Sequence, residues 1–284
     1  MTRWMTNWTL IAAATLGLLA CTTPTKATGR SVPKTDAATA AAIDAALAGT
    51  HRSDANKARD KYRHPKETLT FFGLRQDMTV VELWPGTGGW YTEVLAPVLK
   101  EKGTLYAAHI NPSESPQAAQ DGLKTYQAKL AANPDVYGKV KVTALGANAL
   151  EIAPAGSADM VVTFRNIHNW MGREWAPKAF EAAFKALKPG GILGVEEHRG
   201  NPAVPQDPKA ASGYVNEEFA IQLIEAAGFK LVDRSEINAN PKDTKDYEKG
   251  VWTLPPVYRL GDKDREKYAA IGESDRFTLK FVKP

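Results

Sequence analysis

Residues 79–95, TVVELWPGTGGWYTEVL, constrain this chain more than any other stretch. Val80, Val81 and Leu83 form a short apolar run without polar alternation, the pattern of a parallel strand covered on both faces. Gly86, Gly88 and Gly89 follow at once, and residues 90–99 resume at helical spacing. A strand that turns on glycines straight into a helix leaves bare backbone facing a cleft. Glu82, near the strand's end, is then placed at the mouth of that cleft as a hydrogen-bond acceptor, with Thr87 between two of the glycines. Pro85 fixes its own φ and predicts an extended Trp84, so the loop is stiff and carries an indole beside the cleft.

The rest of the chain repeats the strand-to-helix rhythm. The pattern predicts strands at 79–83, 103–109, 140–145, 159–164, 192–196, 229–235 and 276–282. Between or before them it predicts helices at 36–47, 54–62, 65–72, 90–99, 116–132, 175–187 and 216–227. Alternation of this kind implies a parallel sheet with helices on both faces, since each parallel return needs a crossover. No internal repeat interrupts it, and 43% hydrophobic residues over about 250 positions suit one α/β domain. Residues 238–275 are long for a connection between two strands. Trp252, Tyr258 and Tyr268 give that segment something to bury, and it reads equally as a lid or as a packed excursion.

An acid followed by G-x-G resembles the first motif of class I S-adenosylmethionine-dependent methyltransferases. Leu187-Lys188-Pro189-Gly190-Gly191 before a strand, and the Glu225-to-Val232 run EAAGFKLV between a helix and a strand, resemble two further landmarks of that family. Together they span residues 65–282. The resemblance implies a doubly wound, Rossmann-like seven-stranded sheet of order 3-2-1-4-5-7-6 with the last strand antiparallel, and S-adenosyl-L-methionine as cofactor. Residues 165–170, RNIHNW, are similar to the corresponding stretch of a little-studied branch of predicted bacterial methyltransferases. Residue by residue, Glu82 matches the motif's acid, and Gly86 and Gly88 its later glycines. Trp84 stands where the family has glycine, His109 where an acid grips the ribose hydroxyls, and Asn148 where an acid meets the adenine amine. Imidazole and amide can still accept those hydrogen bonds, without the added strength of a charge.

Ligands in open parallel sheets bind beyond the carboxyl ends of the strands. Three of the chain's five histidines fall at such ends: His109, His168 within RNIHNW, and His198 after Glu196 and Glu197. Methyl transfer is an in-line displacement helped by alignment and removal of water, and it needs a base only when the nucleophile arrives protonated. His168 is the candidate base, with a pKa suited to neutral pH. Asn166 and Arg165 are read as groups that position substrate or the cofactor's carboxylate. The candidate site is therefore His168 and Asn166 for catalysis, with Glu82, Trp84, Gly86, Thr87, Gly88, His109, Asn148 and Arg165 for the cofactor. Trp84, Trp90 and Trp170 wall the cleft or pack the core; Arg59, Arg63 and His64 form a solvated face or cap the pocket. No metal is expected, because neither H-x-H nor H-E-x-x-H spacing occurs. Two other readings stay open: a domain that binds a nucleoside or other small ligand without catalysis, and a metal site of His168, His198 and Glu196 or Glu197.

At the N-terminus one basic residue, Arg3, precedes an apolar run over 8–20 that is short for a bilayer span. Leu18-Leu19-Ala20-Cys21 resembles the lipobox of bacterial lipoproteins, which implies cleavage before Cys21 and acylation of its thiol. Residues 1–20 then read as signal peptide, 21–35 as lipid-anchored tether and 36–284 as the domain; an uncleaved anchor is the alternative. Thr22, in place of an aspartate, implies passage to the outer membrane of a double-membraned bacterium, on its periplasmic side. Cys21 is the sole cysteine, so neither an intramolecular disulfide nor a thiolate metal cluster is available. Loss of residues 1–20 takes the net charge from +4 to +3, and no long basic run suggests nucleic acid. A pI near 8.9 is compatible with an anionic surface. A small-molecule or envelope substrate is expected, and nothing in the residues sets an oligomeric state.

Overall fold

In the computed structural model, β1 (Thr79–Leu83) is an inner strand, third in the order of a seven-stranded sheet. The structure describes residues 33–284; the leader, the lipobox and nearly all of the tether lie outside the described residues. The other strands are β2 (Thr104–Ile110), β3 (Lys141–Leu145), β4 (Ala158–Phe164), β5 (Leu187–His198), β6 (Lys230–Ser235) and β7 (Arg276–Val282). Their spatial order is β3-β2-β1-β4-β5-β7-β6, the order the resemblance implies. β1 to β5 pair in parallel, and β7 runs antiparallel between β5 and β6. Strand order reverses between β1 and β4. The crevice at their carboxyl ends is where such a sheet accepts ligands.

Strand alternation divides the core in two. Val80, Met160, Val162 and Ile192 face α1 (Ala37–Ala48), α4 (Pro65–Phe72), α5 (Thr92–Leu99), α6 (Gln117–Ala132) and α7 (Pro134–Tyr137). Val81, Val161, Leu193 and Val195 face α8 (Ile167–Met171), α9 (Ala176–Ala186) and α10 (Glu217–Ala226). Pro at the first turn and a left-handed Gly73 bound α4 as expected.

Three sequence expectations change. The helix read over 54–62 divides into α2 (Asp54–Lys57) and α3 (Asp60–Arg63), and at the junction Arg59 reaches out to Glu273 at 2.6 Å. β5 extends past residue 196, because the antiparallel ladder with β7 continues until His198 pairs with Arg276. Glu197 and His198 therefore stand inside a strand and not after one. Trp84 is not extended: its φ is 46°, left-handed, and its N–H donates to Ala108 O at 2.8 Å, which continues the β1–β2 ladder into the turn.

Residues 238–275 hold a 3₁₀ turn (Gly250–Thr253) and α11 (Arg265–Ile271), and they are fastened at their base. Buried Asn238 donates through Nδ2 to the hydroxyls of Thr68 and Thr278, both at 2.9 Å. Tyr214 OH donates to Asp243 at 2.8 Å, and Leu254 is fully buried.

Candidate active site

Glu82 is buried at the end of β1, and its Oε2 accepts from Thr92 Oγ1 at 2.6 Å; that hydroxyl also lies 3.1 Å from Tyr126 OH. Burial pushes the Glu82 carboxyl up to about 7, against the Thr92 bond and the nearby charges of Lys129 and Arg165. The turn that follows is open. Gly86, Thr87 and Gly88 are exposed, and a β-carbon built on Gly86 or Gly88 meets nothing within 4 Å. Gly86 needs glycine for its φ of 72°, whereas Gly88 does not take a left-handed φ, so the bare backbone there serves approach alone. Gly89 differs, since a β-carbon would stand 2.7 Å from the Tyr126 ring. Lys129 donates to Gly88 O at 2.6 Å and pairs with the carboxylate of Glu93, tying the turn to α6.

Beside the turn lies a cleft of about 410 Å³ lined by Trp84, Glu114, Asn148, Arg173, Trp175 and the backbone near Gly146. The Trp84 indole N–H donates to Leu145 O at 3.0 Å, its ring meets Trp175 edge-on at 5.5 Å, and the Arg173 guanidinium lies 5.0 Å from it. Glu114 accepts the Asn148 N–H through both carboxylate oxygens, at 3.1 and 3.3 Å. Sequence reasoning missed Glu114, which sits in a 3₁₀ turn (Pro112–Glu114) past β2; its signal was an acid three residues after the capping Asn111. His109, by contrast, is not part of this cleft's lining. Its ring is 3% exposed and tilted against Tyr126 at 5.1 Å, and Nδ1 accepts the Ile110 N–H. Nε2 is buried without a fully formed hydrogen bond, on the side of the Gly86 backbone. Burial lowers its pKa, so the ring supports the turn from beneath as a neutral group.

Two polar clusters occupy the ends of β4 and β5. In the first, Glu196 is wholly buried and pairs with Arg165 at 2.6 Å and Arg276 at 3.5 Å, while Tyr91 OH donates to it at 3.1 Å. Glu273 joins Arg59, Arg63 and Arg276. Burial alone would raise both carboxyls, and the guanidiniums outweigh it and hold both below the usual range. Arg59 and Arg63, read as a solvated face or a pocket cap, thus belong to a shared ionic cluster. In the second cluster, His168 Nδ1 stands 3.0 Å from Glu197 Oε1, and the backbone N–H groups of His168 and His198 donate to the same carboxylate at 3.3 and 2.8 Å. His198 Nδ1 lies 2.5 Å from Ser274 Oγ, and Trp252 stands edge-on to the His168 ring at 6.0 Å. Burial, then His168 and the arginines, keeps His198 neutral.

Asn166 is a fastening. Its Nδ2 donates to Leu83 O at 2.9 Å and to Thr163 Oγ1 at 3.2 Å, tying the end of β4 to the glycine turn. Of the three tryptophans, Trp84 walls the cleft. Trp170 is fully buried in the core, and Trp90 packs beneath the Arg52 and Arg63 guanidiniums at 5.1 and 4.7 Å.

Neither a family model nor a curated protein sequence matches the chain. Solved structures do match in fold. An S-adenosylmethionine-dependent methyltransferase from Aquifex aeolicus aligns over 80% of this chain and 93% of its own, with TM-score 0.53 and 17% identity. The [4+2]-cyclase SpnF aligns over 87% and 93%, with TM-score 0.55 and 18% identity. Phosphoethanolamine N-methyltransferase 2 from Haemonchus contortus, in complex with S-adenosyl-L-methionine, aligns over 86% and 60%, with TM-score 0.51 and 15% identity. The chain is similar to these in architecture; a fold shared by a methyltransferase and a cyclase leaves the reaction to the site.

Proposed function

We propose that this chain is an S-adenosylmethionine-dependent methyltransferase, exported and lipid-anchored, acting on a small molecule or an envelope component. The observation that carries the reading is the open glycine turn of Gly86 and Gly88 at the β1–β4 crevice, adjoining an aromatic-walled cleft that holds a carboxylate. The residues present fit the cofactor: bare backbone admits its amino-acid part, Trp84 and Trp175 offer rings to a purine, and Glu114 offers the charged acceptor absent from His109 and Asn148. When bound, S-adenosylmethionine supplies an electrophilic methyl group on a sulfonium.

The chain's own groups do the rest. Buried Trp170 and Asn166 keep the end of β4 fixed against the turn, so that acceptor and cofactor subsites hold one distance. His168, held through Nδ1 by Glu197, would take at Nε2 the proton of an acceptor that arrives protonated, once that acceptor replaces Asn169 there. Calorimetric titration with S-adenosylmethionine and S-adenosylhomocysteine tests the reading, with micromolar binding of both expected. Gly88→Ala should weaken each at least tenfold, about 1.4 kcal/mol, with the melting temperature unchanged, since nothing in the protein opposes the new methyl. Silence of the parent protein at millimolar ligand, or equal affinity in the variant, overturns the cofactor site.

A further inference from the structure

We propose that His168, Glu197 and His198 bind one divalent first-row transition-metal ion, zinc foremost, with positions left open for a ligand. One nitrogen or oxygen from each of the three residues lies within 4.8 Å of the others. Two imidazoles and a carboxylate are the donor set of catalytic zinc and of open-sided iron sites, and too rich in nitrogen for calcium or magnesium. Ligands about 2.0–2.1 Å from a tetrahedral ion stand about 3.3 Å apart. His168 Nδ1 and Glu197 Oε1, at 3.0 Å, are already there. The widest gap in the triad closes by about 1.5 Å, within reach of side-chain rotation.

Charge and outer contacts both favour the ion. Glu196 and Glu197 are each wholly buried, but the guanidiniums of Arg165 and Arg276 go to Glu196. Among the described residues Glu197 has no arginine or lysine, only imidazole and two backbone N–H groups, and a buried carboxylate calls for a cation. The arginines nearest this cluster are already engaged: Arg276 and Arg165 pair with Glu196, and Arg63 and Arg276 with Glu273. Each imidazole also has its second nitrogen engaged: Asn169 Nδ2 lies 3.0 Å from His168 Nε2, and Ser274 Oγ 2.5 Å from His198 Nδ1. Outer bonds of this kind set the tautomer of metal-bound histidines. A half-turn of the Asn169 amide presents its oxygen to Nε2–H and frees Nδ1 of His168 for the ion; Nδ1–H of His198 donating to Ser274 frees Nε2. The sequence spacing gave no such signal, because two strand ends and a short helix converge only in the fold.

The site stands beside the methyl-transfer reading and does not rest on it. In the loaded protein His168 is a ligand, and the ion in its place lowers the pKa of a bound hydroxyl or water. The test is made on the tag-free full chain, stripped with chelator and titrated with Zn²⁺ and with Co²⁺ in the absence of cofactor. One ion per chain and a visible Co²⁺ spectrum with nitrogen and oxygen ligands are expected. His168→Ala and His198→Ala should each lose roughly a hundredfold or more in affinity, Ser274→Ala roughly tenfold, and His51→Ala nothing. Circular dichroism confirms that each variant is folded; His168→Gln and His198→Gln replace any alanine variant that is not. No stoichiometric ion in the parent, or binding that survives loss of both His168 and His198, overturns the proposal, whatever the cofactor titration shows.

Discussion

Trp84 shows how a single position can hold a glycine-like backbone under a large side chain. The resemblance places glycine there, and the structure has a left-handed φ of 46°, the region that favours glycine, with an indole attached. The strain is of order 1 kcal/mol, and packing against Trp170 and Trp175 with the bond to Leu145 O offsets it. Trp84→Gly should relieve the strain and lose the packing, a net loss of about 1–3 kcal/mol by thermal melting. If the ring stacks on the cofactor's base, affinity should fall about tenfold as well. A stable Trp84→Gly with full affinity would make the indole mere filling. Glu82 carries a different signature. Its carboxyl sits at about 7 when folded against an ordinary 4.5, so between those values the native state holds the extra proton. Stability therefore falls as pH rises through that window, by roughly 3 kcal/mol. Glu82→Gln removes this contribution, so its stability relative to the parent should improve from pH 5 to pH 8 in denaturant melts. Parallel pH profiles for the two proteins would show that Glu82 is not buried as described.

At the scale of elements, the ends of β4 and β5 and the start of β7 are tied together by buried ion pairs. Glu273, 3% exposed, is shared by Arg59 from the α2–α3 junction, Arg63 from α3 and Arg276 from β7. Removing one partner of a buried ionic cluster strands the others, typically at 3–5 kcal/mol. Glu273→Gln should cost about that much by urea unfolding. Glu236→Gln, whose exposed carboxylate pairs with a largely buried Arg199 that keeps Glu217, should cost no more than about 1 kcal/mol. Equal effects for the two would place Glu273 on the surface. Residues 238–275 belong to the same framework, since Glu273 joins the ionic cluster and Ser274 meets His198 where their end runs into β7. The fastening by Asn238 and Asp243 explains how a segment of that length stays ordered.

For the molecule as a whole, no helix among the described residues is long and apolar enough to cross a membrane. The attachment proposed above rests on the lipobox-like residues 18–21, outside the described residues. The lipid-anchor proposal expects the parent protein in the membrane fraction, resistant to a high-salt wash. Cys21→Ser should leave cofactor affinity and melting temperature unchanged while moving the chain to the soluble fraction. Retention of that variant on membranes after the wash would rule out acylation as the anchor.

The sequence by itself determined the strands, their alternation with helices and the place of the glycine turn, through local signals: apolar runs, strand-to-helix alternation, and glycines that a tight turn requires. It placed Glu82 at the strand's end and Gly86 and Gly88 in the turn for the same reason, as neighbours in one motif. The order of the strands came only from the resemblance to the methyltransferase family. What only the tertiary structure decided are the groups brought together from distant stretches. Glu114 meets Asn148 across 34 residues, while His109 turns under the glycine turn and leaves the cleft to Glu114. Asn166 spends its amide on Leu83, 83 residues away, and His168 finds Glu197 across 29. Glu196 and Glu197, adjacent in sequence, take opposite partners because successive side chains on a strand leave by opposite faces. Which face meets arginines and which meets imidazoles is set by the helices and loops packed there, and no spacing along the chain records that.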